Sequence, residues 1–444
     1  MKTGNFSNLF RTADGRSFGR TFLLMCALFL LSGLCNSMLD TLNKHFQNSF
    51  AINKMQSALV QNAFYLGYFV MAIPAGLLAR RLGYKGGILT GLCIIMLGAF
   101  WFVPATRIGT YWAFLTGLFI LAVGFTCIET IANPYATVLG PPETGAARIN
   151  LAQSCNGVGW MAGPTLAGFF ILSSTSEVNR SNESLYLPYL LLGLLAAAML
   201  GVIALSPVPD LHAEEERKAV ADGGAPAESL WRRRHFVFAI IAQFCYVAAQ
   251  TGIFSYFINY LASDAPPLSA AAASKLPGYM TALKDGAYCV TDRGAATLLS
   301  FGGFGLFLLG RITGSLALRV FKPHRMLAAY SALNVLMMLC VVLKLGWISV
   351  GALFLSFFFM SISYPTIFAL AIYDLGEQTK RASSYLVMAI LGGAIMPLFM
   401  GWLADNWGMR GGFLMPLGCF LAIAAYAAFW SRLSRRHLCV TQHV

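Results

Sequence analysis

Twelve apolar stretches of about 20 residues each run through the chain, separated mostly by short polar loops. A helix of roughly 20 residues spans a hydrocarbon core of roughly 30 Å. Only 11% of the 444 residues are charged, whereas a soluble domain carries about 25%. Because lipid offers the backbone no hydrogen bonds, such stretches must be helical. The sequence therefore predicts an all-α membrane protein that crosses the lipid bilayer twelve times. The helices are predicted at 21–42, 56–79, 87–105, 110–136, 149–173, 185–206, 236–262, 294–318, 326–344, 347–373, 382–404 and 412–431.

The net charge of +13 is explained by membrane orientation rather than by a nucleic-acid partner. Of the 31 Lys and Arg residues, 21 fall in the tails and loops on one side of the predicted helices, and 9 fall in the loops on the other. Basic residues concentrate on the cytoplasmic side of membrane proteins. We therefore expect a membrane protein with both termini in the cytoplasm and no bound nucleic acid.

The longest charged stretch divides the predicted helices into two sets of six. Residues 207–235 combine acidic and basic runs with a middle rich in Gly, Ala and Pro, which is typical of a flexible linker. We predict an amino-terminal six-helix bundle over 1–206, a cytoplasmic linker over 207–235 and a carboxy-terminal six-helix bundle over 236–444.

The two halves resemble repeats of each other, so the predicted bundles are pseudo-symmetric. Pro134 in the fourth helix has a counterpart in Pro365 in the tenth, and each is followed by an arginine, Arg148 or Arg381. Matching helix breakers in two halves indicate a duplicated transporter with its binding site between the halves. Each arginine is also followed sixteen residues later by a proline, Pro164 or Pro397, that a Gly pair precedes.

Two carboxylates lie within or near the ends of apolar stretches, Asp40 in the first helix and Glu129 in the fourth. A charge at mid-bilayer costs a few kcal/mol or more. Burial disfavours the charged form of a carboxylate, so such a group can bind and release a proton near neutral pH. Both residues are therefore predicted to couple transport to protons; the alternative is a structural salt bridge or a solvated helix end.

Polar side chains recur at helical spacing on several predicted helices. Asn150, Gln153 and Asn156 step by three along the fifth helix, so they share one face. Amides both donate and accept hydrogen bonds, as sugar hydroxyls require, although each amide alone is equally suited to holding two helices together. The predicted substrate-binding residues are Asn36, Gln61, Tyr65, Glu129, Asn133, Gln153, Asn156, Gln243, Tyr246, Gln250 and Tyr364.

Nothing in the sequence favours an enzyme. It contains no C-x-x-C pair, and we find no pattern of a nucleophile with its base, a metal cluster or a phosphate-binding loop. We therefore expect no catalytic residue, no metal and no cofactor, with a proton as the coupling ion. Sodium stays open, because carboxylate oxygens bind either ion. We expect the chain to work as a monomer.

Several long motifs resemble the fucose–galactose–glucose:proton symporter family of the major facilitator superfamily. They include Glu129-Thr-Ile-Ala-Asn-Pro, Arg148-Ile-Asn-Leu-Ala-Gln and Tyr364-Pro-Thr-Ile-Phe. The resemblance implies twelve helices in two bundles and alternating access around a central sugar site. It implies import of L-fucose or a related hexose by proton symport, with Asp40 and Glu129 in the positions of the family's two essential acids. It also matches Gln153 and Asn156 to amides that line the family's cavity.

The chain also departs from the wider superfamily's patterns at two places. The superfamily's loop signature usually has an Asp where this chain has Arg80. Gly159-Trp-Met-Ala-Gly-Pro-Thr-Leu-Ala-Gly resembles a motif of drug antiporters. The alternative is therefore a proton-driven antiporter that exports small hydrophobic compounds. The long outer loop at 263–293 has no predicted role, and nothing in the sequence distinguishes one hexose from another or sets the proton stoichiometry.

Overall fold

A computed structural model describes residues 10, 17–49, 59–141, 144–172, 186–209, 229–284 and 286–435. Within these ranges the side chains of 40–49 and 163–172, and those of a few single residues, lie outside the description. Ten helices of the described chain are long and apolar enough to cross a membrane, and one of them, Leu59–Ile108, holds two of the predicted helices. With Gly145–Leu172, the described chain has the twelve helices that the sequence predicts.

The first six helices follow the predicted order. Leu59–Ile108 changes direction at Gly83, whose φ of 70° belongs to the left-handed region that glycine tolerates best. We call the parts before and after this residue α2 and α3. The other helices of the first half are α1 at Gly19–Ser49, α4 at Tyr111–Val138, α5 at Gly145–Leu172 and α6 at Tyr186–Leu205.

The last six helices are more often interrupted. α8 contains a π-helical turn, α10 is broken between Met360 and Ser363, and α11 begins with two short pieces and changes direction at Gly408, where φ is 71°. The bounds are α7 Arg234–Ser263; α8 Asp292–Thr297, Leu298–Gly303 and Phe304–Ala317; α9 Pro323–Val342; α10 Trp347–Met360 and Ser363–Ala371; α11 Thr379–Met388, Ala389–Leu391 and Gly392–Gly412; and α12 Leu414–Arg435.

The long loop between α7 and α8 has a small structure of its own. It holds a one-turn helix, Ala270–Ala273, and a two-stranded antiparallel hairpin with β1 at Thr281–Lys284 and β2 at Ala287–Val290. Leu268 bridges to the second strand at Tyr288. Single-turn 3-10 helices at Leu230–Arg232 and Gly376–Gln378 precede α7 and α11.

The two halves of the sequence repeat also share a close contact between helices. A Cβ at Gly159 of α5 would lie 2.5 Å from the carbonyl oxygen of Leu30 in α1. A Cβ at Gly392 of α11 would lie 2.4 Å from the carbonyl oxygen of Phe244 in α7. Small residues allow such close backbone approach in membrane helices. Each glycine comes eleven residues after the matching arginine of its half, so both halves build the same helix contact at the same place.

The chain forms two compact units. The first comprises Met1–Ile240 with Phe368–Leu391, and the second comprises Ile241–Ile367 with Gly392–Val444. The predicted division into bundles at 1–206 and 236–444 stays a prediction.

Within the first unit, Thr379–Met388 packs on α2, α3 and α4. A Cβ at Gly76 would lie 1.8 Å from Ser384 Oγ, and the Lys380 ammonium lies 5.0 Å from the centre of the Tyr84 ring. Both Lys380 and Ser384 are buried. This segment is therefore closely fitted to the amino-terminal helices.

Candidate functional site

The Glu129 carboxyl group lies in a continuously buried stretch of α4. Every residue of α4 from Gly124 to Ala136 is buried, and the Glu129 residue itself is only 8% exposed. Ser32 of α1 donates a hydrogen bond to Glu129 Oε1 over 2.7 Å, and the Tyr68 hydroxyl of α2 donates to the same oxygen over 3.0 Å. Two neutral hydroxyls from neighbouring helices therefore hold one oxygen of this acid.

Two amides extend the polar contacts from α4 to α5. Asn133 Nδ2 donates to the backbone oxygen of Glu129 over 2.9 Å, one turn along the helix. Gln153 Nε2 then donates to Asn133 Oδ1 over 2.9 Å. Both amides are buried, so this bond replaces water for groups that would otherwise be costly to bury.

Two more predicted residues lie where α1 meets its neighbours. Asn36 Nδ2 donates to the backbone oxygen of Ser32 over 3.0 Å and lies 3.4 Å from Ser32 Oγ. Asn156 Nδ2 donates to the backbone oxygen of Phe29 over 3.2 Å. The structure thus brings polar side chains of α1, α2, α4 and α5 together. We call this set the Glu129 cluster: Ser32, Asn36, Tyr68, Glu129, Asn133, Gln153 and Asn156.

A buried arginine fixes α4 against α5. Arg148 is 0% exposed, and its guanidinium donates to the backbone oxygens of Ala136 at 3.2 Å, Thr137 and Pro141 at 2.9 Å. It also donates to the Thr144 hydroxyl over 2.6 Å. These bonds satisfy carbonyl groups that a helix end leaves without partners. Because Arg148 itself belongs to α5, it sets the position of Gln153 relative to Asn133.

The second unit holds a separate polar group on α7, α8 and α10. The Tyr246 and Tyr364 ring centres are 6.2 Å apart. Arg311 is buried, donates from Nε to the Ser361 oxygen over 3.0 Å, and its guanidinium lies 4.6 Å from the centre of the Phe307 ring. These residues give the second unit its own buried polar and aromatic surface.

Gln243 is the member of that group most suited to a ligand. It is fully buried, and neither its amide oxygen nor its amide nitrogen has a hydrogen-bond partner among the described residues. The Tyr246 hydroxyl, one turn along α7, lies beside the Arg311 guanidinium. Buried polar groups normally have partners, so the chemistry of this face suits a hydroxyl-bearing ligand or ordered water.

Three predicted site residues are less buried than the residues described above. Gln61 and Tyr65 lie on α2 before Tyr68, and Gln250 lies two turns beyond Gln243 on α7. All three are half-buried. Asp40 lies in α1, but its side chain falls outside the described residues. Its role in coupling therefore stays a prediction. Across the described chain, no group of three His, Cys, Asp or Glu residues is placed to hold a metal ion.

Ser32 and Tyr68 are the members of the Glu129 cluster that the sequence patterns did not single out. Tyr68 continues the series Gln61 and Tyr65 with a further step of three, and Ser32 lies four residues before Asn36. Extending each series by one helical step would have found both. Their contact with Glu129, however, joins residues 61 and 97 positions apart in the sequence.

Comparison with known proteins places these observations in a family. The family profile described as Major Facilitator Superfamily matches residues 25–390. The L-fucose-proton symporter of Escherichia coli strain K12 is 37% identical over 438 residues, covering 94% of this chain and 95% of that protein. A glucose/galactose transporter of Brucella abortus biovar 1 is 34% identical, covering 95% of this chain and 96% of that protein.

Solved structures agree with the sequence comparison. The transporter FucP, in its outward conformation, matches with a TM-score of 0.77 at 35% identity, covering 94% of this chain and 99% of that one. The proton:xylose symporter XylE matches with a TM-score of 0.66 at 12% identity, covering 92% and 94%, a likeness of fold alone. Sequence and fold thus agree over nearly the whole length, and the chain belongs to the Major Facilitator Superfamily.

Proposed function

We propose that this chain imports a monosaccharide, L-fucose or a related hexose, together with a proton by alternating access. The observation that carries the proposal is the buried Glu129 carboxyl group, held by Ser32 and Tyr68 and continued by amides on α4 and α5. The names of the relatives support it, since those proteins are an L-fucose-proton symporter and a glucose/galactose transporter.

The proton supplies the driving force for uptake. A unit charge crossing a membrane potential of 100 mV releases about 2.3 kcal/mol. Since about 1.4 kcal/mol corresponds to a factor of ten in concentration, one proton is enough to accumulate a neutral sugar more than tenfold. Glu129 takes up and releases this proton in our proposal, and Asp40 assists it.

The substrate contacts follow from the chemistry of the side chains. Amides such as Asn133, Gln153 and Asn156 donate and accept in the manner that sugar hydroxyls need. Gln243 and Tyr246 supply polar and aromatic groups from the second unit. The protein works as a monomer in the bacterial inner membrane with both termini in the cytoplasm, and it needs no cofactor; sodium in place of the proton is the alternative coupling ion.

The first test is proton movement in a lightly buffered suspension of vesicles. Adding L-fucose should alkalinise the medium when protons enter with the sugar, and Glu129→Gln should abolish the signal because the variant side chain cannot exchange a proton. Asp405→Asn, a change at an exposed carboxylate of α11, serves as the matched control. If Glu129→Gln alkalinises the medium as the parent does, the coupling role is wrong.

The second test identifies the sugar and the ion. Proteoliposomes loaded in turn with L-fucose, D-galactose and D-glucose should show counterflow of a labelled hexose, stimulated by protons and insensitive to sodium. Stimulation by sodium at fixed pH would instead assign the coupling ion to sodium. The antiporter alternative, which rests on the Gly159–Gly168 motif, predicts no counterflow of any hexose and proton-driven export of a hydrophobic compound.

A further inference from the structure

A small cavity lies at the start of α9 and the end of α12, and none of the site residues described above lines it. Its volume is about 210 Å³, and its lining contains Lys322, His324, Arg325 and Ser431 together with three alanines. Pockets that enclose drug-sized ligands measure roughly 300–1,000 Å³. The cavity therefore suits a small charged group rather than a whole hexose-sized or larger drug-like molecule.

The surroundings of this cavity carry one sign of charge. Residues 318–334 and 421–435 contain five Lys and Arg residues and no Asp or Glu. Neither Lys322 nor Arg325 forms an ion pair with any residue that the structure describes. Two cationic side chains, with no acidic side chain of α9 or α12 beside them, favour an anionic occupant.

Hydrogen-bond donors at the first turn of α9 favour the same occupant. Pro323 has no N–H, and the N–H groups of Arg325 and Met326 bond to the Lys322 oxygen. The His324 N–H has no backbone acceptor among the described residues, and no side chain caps the helix. The His324 ring stacks on Trp430 of α12 at 5.2 Å between ring centres, which holds the imidazole at the cavity.

The apolar residues around the cavity indicate that its occupant also has a hydrocarbon part. Val320 is 72% exposed, Phe321 63% and Phe429 53%, and all three lie within a few positions of the lining residues. Trp430 has the amphipathic ring that proteins place at the level of lipid headgroups. The loop at 319–326 is also one of those predicted to face the cytoplasm, where anionic lipids attract basic segments.

We propose that this cavity binds the phosphate of an anionic phospholipid, with Lys322, Arg325 and His324 around the headgroup and the acyl chains along the exposed apolar residues. Basic pockets between transmembrane helices on the cytoplasmic side are suited to such headgroups. The site lies within the second unit and uses no residue of the sugar-binding proposal. Lipid binding and sugar transport can therefore be measured separately.

The test is native mass spectrometry of the full-length protein in detergent, with phosphatidylglycerol, phosphatidylcholine or inorganic phosphate added. We expect the parent to retain phosphatidylglycerol in preference to phosphatidylcholine. In Lys322→Gln with Arg325→Gln, the affinity for phosphatidylglycerol should fall by at least roughly tenfold, since each basic residue near an anionic surface contributes about 1 kcal/mol. Lys322→Arg with Arg325→Lys keeps both charges and should retain the lipid.

The control is Arg80→Gln with Arg81→Gln, which removes the same charge from the exposed end of α2, before the break at Gly83. This variant should bind phosphatidylglycerol as the parent does. Equal retention by the Lys322/Arg325 double Gln variant and the parent would overturn the proposal. So would binding of inorganic phosphate with no preference for phosphatidylglycerol over phosphatidylcholine, because it would assign the cavity to a free anion. Elution as a single folded species in size-exclusion chromatography verifies each variant before the measurement.

Discussion

At the scale of single residues, the partners of Glu129 suit an acid that changes its protonation state. A hydroxyl donates to an ionised carboxylate and can turn to accept from a protonated one, so Ser32 and Tyr68 can serve both states. Arg148 instead donates to backbone oxygens and a threonine hydroxyl, which are groups that do not titrate.

Tyr68→Phe removes only the hydroxyl group that donates to Glu129. Hydrogen bonds to charged groups contribute roughly 1.5–3 kcal/mol, so we expect roughly a tenfold or larger fall in the apparent affinity for sugar under a proton gradient. The measurement is sugar uptake against sugar concentration at several pH values. Tyr189→Phe is the matched control, since the buried Tyr189 hydroxyl has no hydrogen-bond partner among the described residues. Indistinguishable uptake by the two variants would contradict the role of Tyr68.

At the scale of helices, glycine decides how closely neighbouring backbones approach. A Cβ at Gly33 would lie 2.1 Å from the backbone oxygen of Asn156, and one at Gly159 would lie 2.5 Å from that of Leu30. Glycines on both helices therefore allow the close contact between α1 and α5. The Ser37 hydroxyl adds a hydrogen bond of 3.3 Å to the Gly159 oxygen. This close approach allows Asn156 Nδ2 to reach the Phe29 oxygen on α1.

Gly159→Ala and Gly392→Ala should both lower the stability of the protein. Each added methyl group would meet a backbone oxygen, and overpacking of this kind costs about 1–3 kcal/mol. Gly201→Ala in α6 and Gly418→Ala in α12 are the controls, because a Cβ at either position has nothing within 4 Å and alanine favours a helix. Thermal unfolding in detergent is the measurement. If all four variants unfold at the same temperature, the close contacts at Gly159 and Gly392 do not contribute to stability as we expect.

At the scale of the whole molecule, one segment packs in the first unit although the chain on both sides of it belongs to the second. Phe368–Leu391 lies in the first unit, while the chain immediately before and after it lies in the second. Its contacts are tight, because Gly76 leaves no room beside Ser384 and Lys380 lies over Tyr84. Alternating access moves parts of a transporter against each other, so whether this segment stays docked on the first unit during transport can be measured.

Labelling of Ser384→Cys measures whether the segment leaves its position. The side chain at this position is 3% exposed, so a membrane-permeant maleimide should label it slowly. Adding Gly76→Leu should increase the rate several-fold, since the larger side chain occupies the space of residue 384. Gly201→Leu in the same background serves as the control, and peptide mass spectrometry separates this thiol from the ten native cysteines. Equal labelling rates in both backgrounds would show that the segment stays docked.

The sequence alone determined the class of protein, the number of helices and the existence of a repeat. These properties depend on local patterns: the length of apolar stretches, the distribution of charges between loops, and Pro and Gly at matching positions. The sequence also singled out Glu129, Asn133, Gln153 and Asn156, because polar residues in apolar helices are conspicuous. None of this required knowing which helix touches which.

Only the tertiary structure decided the partners of those residues. Which face of a helix meets which neighbour depends on packing between segments far apart in the chain, so no local pattern identified Ser32 and Tyr68 as the hydroxyls on Glu129. The two matching arginines differ for the same reason: Arg148 of α5 is fully buried against the end of α4, whereas Arg381 of α11 is exposed. Repeated sequence gives each half the same glycine contacts, but the environment of each side chain is set by what folds against it.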